Sequence, residues 1–115
     1  MKSMESIFAR NRIVPVVVIN DVEAAIPLAE TLLESGINNM EVTLRTDNAL
    51  EVIRKVAKHV PEVVIGAGTI LTVEHFKQAQ AAGAEYIISP GVTNELFAIG
   101  QANADQVRFI PGICT

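Results

Sequence analysis

The sequence predicts an α/β fold built on a parallel sheet, and three observations carry that prediction. Short runs of β-branched and aliphatic residues alternate along the chain with longer segments patterned at helical spacing. The alternation recurs about every 23 to 25 residues, so the connections are short, and strand–helix–strand units of that kind require parallel strands and right-handed crossovers. Half of the 115 residues are hydrophobic, dominated by Val, Ile, Ala and Leu with no tryptophan, which suits buried strands covered by helices.

The elements follow in order. The run "IVPVVVI" (13–19) reads as a buried strand. "DVEAAIPLAETLLESG" (21–36) opens on Asp21 as N-cap and closes on Gly36 at the C′ position, with Val22, Ile26, Ala29 and Leu33 on one face. Pro27 inside this pattern predicts kinked or irregular first turns. "INNMEVTL" (37–44) is the second strand, and "TDNALEVIRKVAKHV" (46–60) a helix with Leu50, Ile53, Val56 and Ala57 inward, stopped by Pro61. "EVVIGAG" (62–68) is a third strand; "TVEHFKQAQAAG" (72–83) is a helix capped by Thr72 and ended by Gly83. "AEYIIS" (84–89), "TNELFAIGQAN" (93–103) and "QVRFIPG" (106–112) give a fourth strand, a short helix and a fifth strand.

The strands leave through "EVTLRT", "GAGT", "SPGVT" and "PGICT", each a polar or Gly/Pro turn carrying threonine. This is the pattern of a (β/α) barrel of the TIM type, whose chemistry sits at the carboxyl ends of its strands. A complete eight-unit barrel needs about 200 residues or more. The sequence is therefore expected to form, over residues 1–115, a single partial (β/α)8-barrel domain, the N-terminal portion with about four βα units and a fifth strand, or else an open sheet. An open flavodoxin-like domain has the same inventory but binds phosphate at the loop after its first strand. Here that turn is "NDVEA", acidic and without glycine. Strand order separates the two: sequential neighbours mean a barrel, a switch point means an open sheet.

Net charge is −4, which leaves no broad basic face for nucleic acid. No run of about 18 apolar residues is present to span a membrane. The start, "MKSMESIFARNR", has no apolar stretch of signal-peptide length. The single cysteine, Cys114, excludes an intrachain disulfide and a multi-cysteine metal site. A soluble cytoplasmic protein is expected.

Within the second strand, "NNMEVTLRTDNA" (38–49) places a carboxylate among apolar residues and an arginine four positions on. Side chains alternate along a strand, so Met40, Val42 and Leu44 share one face and Glu41, Thr43 and Arg45 the other. The apolar set belongs under the helices; the polar set would point into the barrel. An inward carboxylate loses water, and its pKa moves toward the range of a general acid or base. Arg45 offers a permanently charged fork suited to a carboxylate or phosphate. The same two residues would equally make a structural ion pair at a strand end.

"GAGT" (66–69) puts glycines at a strand exit, where backbone can approach a ligand, with the Thr69 hydroxyl at the rim. It lacks the further glycine and acidic residue of a dinucleotide-binding turn. Pro90 in "SPG" fixes another turn. Such turns also occur as plain punctuation. His59 and His75 read as helix surface residues, too far apart for a metal site, and Cys114 has no readable base. Lys55, Lys58 and Lys77 fall on helices and Lys2 on the terminal arm, none on a strand.

Together, "IVPVVVI", "GINNMEVTLRT", "VPEVVIGAGTILT", "AGAEYIISPGVT" and "FIPGICT" resemble the 2-keto-3-deoxy-6-phosphogluconate / 4-hydroxy-2-oxoglutarate aldolases, in order and over essentially the whole chain. The resemblance implies a class I aldolase on a (β/α)8 barrel, generally trimeric. It needs no metal or other cofactor and cleaves a 2-keto-4-hydroxy acid to pyruvate and glyceraldehyde 3-phosphate or glyoxylate. It implies Glu41 as general acid and base, Arg45 as the clamp for the pyruvate carboxylate, Thr69 as a hydrogen-bonding contact and Pro90 as pocket lining. The family's Schiff-base lysine and phosphate-holding turns lie on later strands, and none of the four lysines here matches that lysine. A half barrel also has unpaired edges and an uncovered inner face. That predicts a species that self-associates or is accompanied by the rest of the polypeptide, and a 115-residue chain inactive on its own.

Overall fold

A computed structural model of the chain describes residues 14–19 and 21–111. Lys2, Cys114 and the end of the "PGICT" turn lie outside that range.

Five strands pair in parallel in the order β1-β2-β3-β4-β5, with no switch point. They are β1 Val16–Val17, β2 Asn39–Thr43, β3 Val64–Gly68, β4 Tyr86–Ser89 and β5 Arg108–Pro111. Between them run α1 Ala25–Glu34, α2 Ala49–His59, α3 Val73–Ala82 and α4 Asn94–Ala102. Sequential neighbours are the barrel answer to the question of strand order, and the flavodoxin-like alternative falls. The first strand is shorter than its apolar run because β1 pairs at two positions only, Val16 with Glu41 and Val17 with Val42.

The helix boundaries follow local chemistry. Asp21 Oδ1 accepts the Glu23 N–H at 3.0 Å and caps a 3₁₀ turn, Val22–Ala24, that leads into α1. The irregularity expected from Pro27 is this turn. At the other end Gly36 adopts φ +85°, the Ile37 N–H reaches Leu32 O at 2.8 Å and the Gly36 N–H reaches Leu33 O at 3.0 Å, the paired bonds of a Schellman closure. Thr72 and Thr93 cap α3 and α4 by accepting from the His75 and Leu96 amides, each at 3.1 Å. The second helix begins three residues later than its pattern suggests. The Thr46 hydroxyl donates to Ile19 O at 2.9 Å, across to the end of the first strand segment, so residues 46–48 form a turn instead of a helical one.

Alternation along the strands separates two layers. Val17, Met40, Val42, Ile65, Ala67, Ile87 and Phe109 face the helices and join Ile53, Val56, Phe76 and Leu96 in the main core. Each fully buried aliphatic or aromatic side chain of this set contributes about 1.5–3 kcal/mol by leaving water. Phe76 meets Phe109 edge-on, ring centroids 5.8 Å apart. On the other face Val64 and Tyr86 form a smaller cluster with Val14, Ile88 and Ile110. This inner face is not the bare surface expected of a half barrel: Asn39, Glu41, Thr43, Val64 and Tyr86 are all buried. The exposed part is the β1 edge, where Val16 and Val18 are 61% and 60% accessible.

Candidate active site

The inner face carries one acidic side chain on β2, Glu41, and the sheet register defines its surroundings. Glu41 stands level with Val16 on β1 and Gly66 on β3; Gly66 is level with Tyr86 on β4, and Tyr86 with Arg108 on β5. One transverse layer thus runs Val16, Glu41, Gly66, Tyr86, Arg108. Two residues nearer the strand ends, Thr43 is level with Gly68.

The glycines of β3 make room for these side chains. A Cβ at Gly68 would lie 2.8 Å from Glu41 Cδ and 3.2 Å from Cγ, so the carboxyl group occupies the space that Gly68 leaves empty. A Cβ at Gly66 would lie 2.5 Å from Tyr86 Cδ2, so the phenol ring occupies the space over Gly66. The sequence suggested that these glycines admit a ligand. In the structure they admit two of the chain's own side chains. Glu41 therefore leans from its own level toward the carboxyl ends of the strands, the face where barrel enzymes place their chemistry.

Glu41 is 7% exposed. Burial raises its pKa above the ordinary 4.5, because the charged form loses hydration. Among the described residues no cation lies within ion-pair distance of it: the two ion pairs there are Arg54–Glu51 and Lys55–Glu23, both on helix surfaces. The structural ion pair between Glu41 and Arg45 is thus not formed. Tyr86 is fully buried, and its phenol pKa is driven far above 10.0 by burial first, then by the carboxylates of Glu41 and Glu85.

Arg45 departs from the sequence expectation. It does not lie on the strand, which ends at Thr43, but in the turn that follows, and it is exposed. Pairing runs one amide further, with Leu44 N–H donating to Gly68 O at 3.0 Å, before the chain turns over β1. Thr69 is half-buried directly after β3 and has φ +59°, left-handed for a β-branched residue. That conformation is a genuine outlier. Pro90 is exposed in the bend after β4, where the Ser89 hydroxyl donates to Gly91 O and accepts the Gly91 N–H. Arg45, Thr69 and Pro90 therefore follow the ends of three adjacent strands on one rim, with Glu41 set deeper on the inner face.

The other candidates separate from this rim. His59 is exposed at the end of α2. His75 is half-buried rather than on the surface, with Nδ1 buried and without a hydrogen-bond partner. Lys55, Lys58 and Lys77 lie on helices. Among the described residues no group of three His, Cys, Asp or Glu could hold a metal ion, and no helix is long and apolar enough to cross a membrane. Sequence reasoning missed Tyr86. The reason is that its place beside Glu41 emerges only when the strand register sets 41, 66 and 86 level.

Comparison with known proteins agrees with this architecture. The sequence profile described as KDPG and KHG aldolase matches residues 4–115. A 2-dehydro-3-deoxy-phosphogluconate aldolase of Pseudoalteromonas atlantica is 45% identical over 111 residues, 96% of this chain and 51% of the relative. A KHG/KDPG aldolase of Escherichia coli is 42% identical over 113 residues, 98% of this chain and 52% of the relative. The chain thus spans about half the length of the curated relatives it matches. A KDPG aldolase from Legionella pneumophila, solved with pyruvate captured at low pH as a covalent carbinolamine intermediate, superposes with a TM-score of 0.91 at 40% identity, over 99% of this chain and 54% of that one. With the profile covering nearly all of its residues, the chain belongs to the KDPG and KHG aldolase family.

Proposed function

We propose that this chain supplies the acid–base part of a Schiff-base aldolase site that cleaves a 2-keto-4-hydroxy acid to pyruvate and an aldehyde. The observation that carries the reading is Glu41: a buried carboxyl on the inner face, without a cation partner among the described residues, leaning toward the strand ends. A raised pKa suits such a group to hold and return a proton more readily than an ordinary carboxyl. With the substrate C2 held as an iminium on a lysine, the carboxylate of Glu41 takes the C4 hydroxyl proton and the C3–C4 bond breaks. The C4 oxygen becomes the aldehyde carbonyl, and the electron pair passes into the enamine. Glu41 returns the proton to C3, and water releases pyruvate from the iminium. Arg45 binds the keto-acid carboxylate, the Thr69 hydroxyl contacts the bound acid, and Pro90 lines the pocket. The aldehyde is glyceraldehyde 3-phosphate for 2-keto-3-deoxy-6-phosphogluconate and glyoxylate for 4-hydroxy-2-oxoglutarate. The reaction uses no metal. The lysine belongs to a later strand of the barrel, and the working form is a cytoplasmic homo-oligomer, a trimer. The carbinolamine of the Legionella relative supports covalent pyruvate chemistry for the family.

The test is a pyruvate titration of the isotopically labelled chain followed by amide NMR. Pyruvate should shift the Arg45 and Thr69 amides, and Arg45→Ala should abolish the response; shifts confined to other regions would overturn the site. Borohydride with pyruvate should leave this chain unmodified. A reduced pyruvyl adduct on Lys2, Lys55, Lys58 or Lys77 would overturn the lysine assignment.

The exposed valines of β1 favour a second reading, in which the 115-residue chain alone is an inactive self-associating unit. A monodisperse monomer in light scattering would count against it.

A further inference from the structure

Glu41 and Tyr86 spring from strands on either side of β3 and stand level with the same residue, Gly66. The space over Gly66 is taken by the Tyr86 ring, and the Glu41 carboxyl is found instead over Gly68, one side-chain step nearer the strand ends. Only one group fits over Gly66. We propose that Tyr86 is a positioning residue for Glu41: its ring fills the space over Gly66, denies it to the carboxyl, and so holds the carboxyl over Gly68 on the side where substrate would arrive. The proposal rests on the reading of Glu41 as the acid–base group, but its structural content can be tested apart from catalysis.

The charged neighbourhood makes the effect readable. On the inner layer Glu41 faces the phenol of Tyr86 on β4, with Glu85 preceding it, and Arg108 on β5 level with Tyr86. The described residues of β1 and β3 bring no titratable side chain. The ring reaches from β4 over β3, which puts it between Glu41 and the strand that carries Arg108. Removing it admits water beside the carboxyl, which favours the carboxylate and so lowers the Glu41 midpoint. Tyr86→Phe keeps the ring and should keep the midpoint.

The experiment labels glutamate carboxyl carbons in the whole chain, assigns Glu41 with Glu41→Gln, and follows its titration by carbon NMR. Tyr86→Ala is expected to lower the Glu41 midpoint by about one pH unit, with Tyr86→Phe close to the parent. A folded Tyr86→Ala protein with an unchanged midpoint would overturn the proposal. Should Tyr86→Ala fail to fold, the unsubstituted chain decides: nuclear Overhauser contacts from the Tyr86 ring to the Gly66 α-protons and the Glu41 γ-protons are expected, and their absence overturns the proposal. The catalytic reading fails by a different result, a pyruvate titration that leaves Arg45 and Thr69 unmoved, whatever Tyr86 does to Glu41.

Discussion

Replacing single glycines by alanine gives a graded test of how the inner face is built. At Gly66 the added methyl would lie 2.5 Å from Tyr86 Cδ2, against a fully buried ring that cannot turn aside without disturbing Val64 and Ile88. Overpacking of a rigid site costs about 1–3 kcal/mol, offset by roughly 0.4–1 kcal/mol because alanine restricts the unfolded chain. A net loss near the upper part of that range, about 2 kcal/mol, lowers the melting temperature of a domain this size by about 10 °C. At Gly68 the obstacle is the far end of Glu41, 2.8 Å away at Cδ, which can rotate out. The expected loss is smaller, about 1 kcal/mol or less. At Gly91 nothing lies within 4 Å, and alanine there should be neutral within about 0.5 kcal/mol. Urea unfolding followed by far-UV circular dichroism measures all three, provided the slopes agree. If Gly66→Ala is as stable as Gly91→Ala, the Tyr86 ring does not lie over β3 and the account of the site fails.

The pH dependence of stability has a definite sign. The folded pKa of Glu41 is raised above 4.5 by burial, so its contribution is full below that value and is lost as pH rises through the folded pKa. Glu41→Gln should flatten this decline and be the more stable protein at neutral pH; parallel urea-midpoint profiles for the two would contradict it. Thr69→Gly should stabilise by roughly 0.5–1 kcal/mol, the left-handed strain of about 1–2 kcal/mol less the entropic cost of glycine, and a loss of melting temperature would show that Thr69 is held by contacts instead. Thr93→Ala removes the side-chain acceptor at the start of α4 and should cost about 1 kcal/mol in the same urea assay; a neutral result would mean that water replaces the cap.

The fold was legible because its determinants are local. Asp21 and Thr72 were identifiable as caps, and Gly36 and Gly83 as closures, because each acts through backbone atoms within a few residues. The side of the sheet on which each β2 residue falls followed from alternation alone. What escaped was decided by partners distant in sequence. Thr46 looked like the start of a helix, but its hydroxyl is drawn to Ile19 O, 27 residues back. The length of β1 depends on how much of an apolar run finds a neighbour, which its own residues do not encode.

The site divides the same way, and the division bears on how barrel sites are built. Glu41 could be found from sequence because a carboxylate in a buried strand is expensive and needs a reason. Its orientation could not, because that depends on what is missing from β3 and what is large on β4. A glycine in a strand weakens it and is commonly read as an opening for a ligand. Here Gly66 and Gly68 open the sheet to the protein itself: one space is filled by a ring, the next by the carboxyl that the ring excludes. Two glycines at i and i+2 and a large residue on the following strand thus aim a carboxylate toward the strand ends with no cation paired to it among the described residues. A salt bridge would fix the same geometry while lowering the carboxyl pKa, and an acid–base group would lose its function. On the proposal above, the ring that places the carboxyl also keeps water from it, so Tyr86 and the glycines of β3, rather than Arg45, bear on both the position and the proton affinity of Glu41.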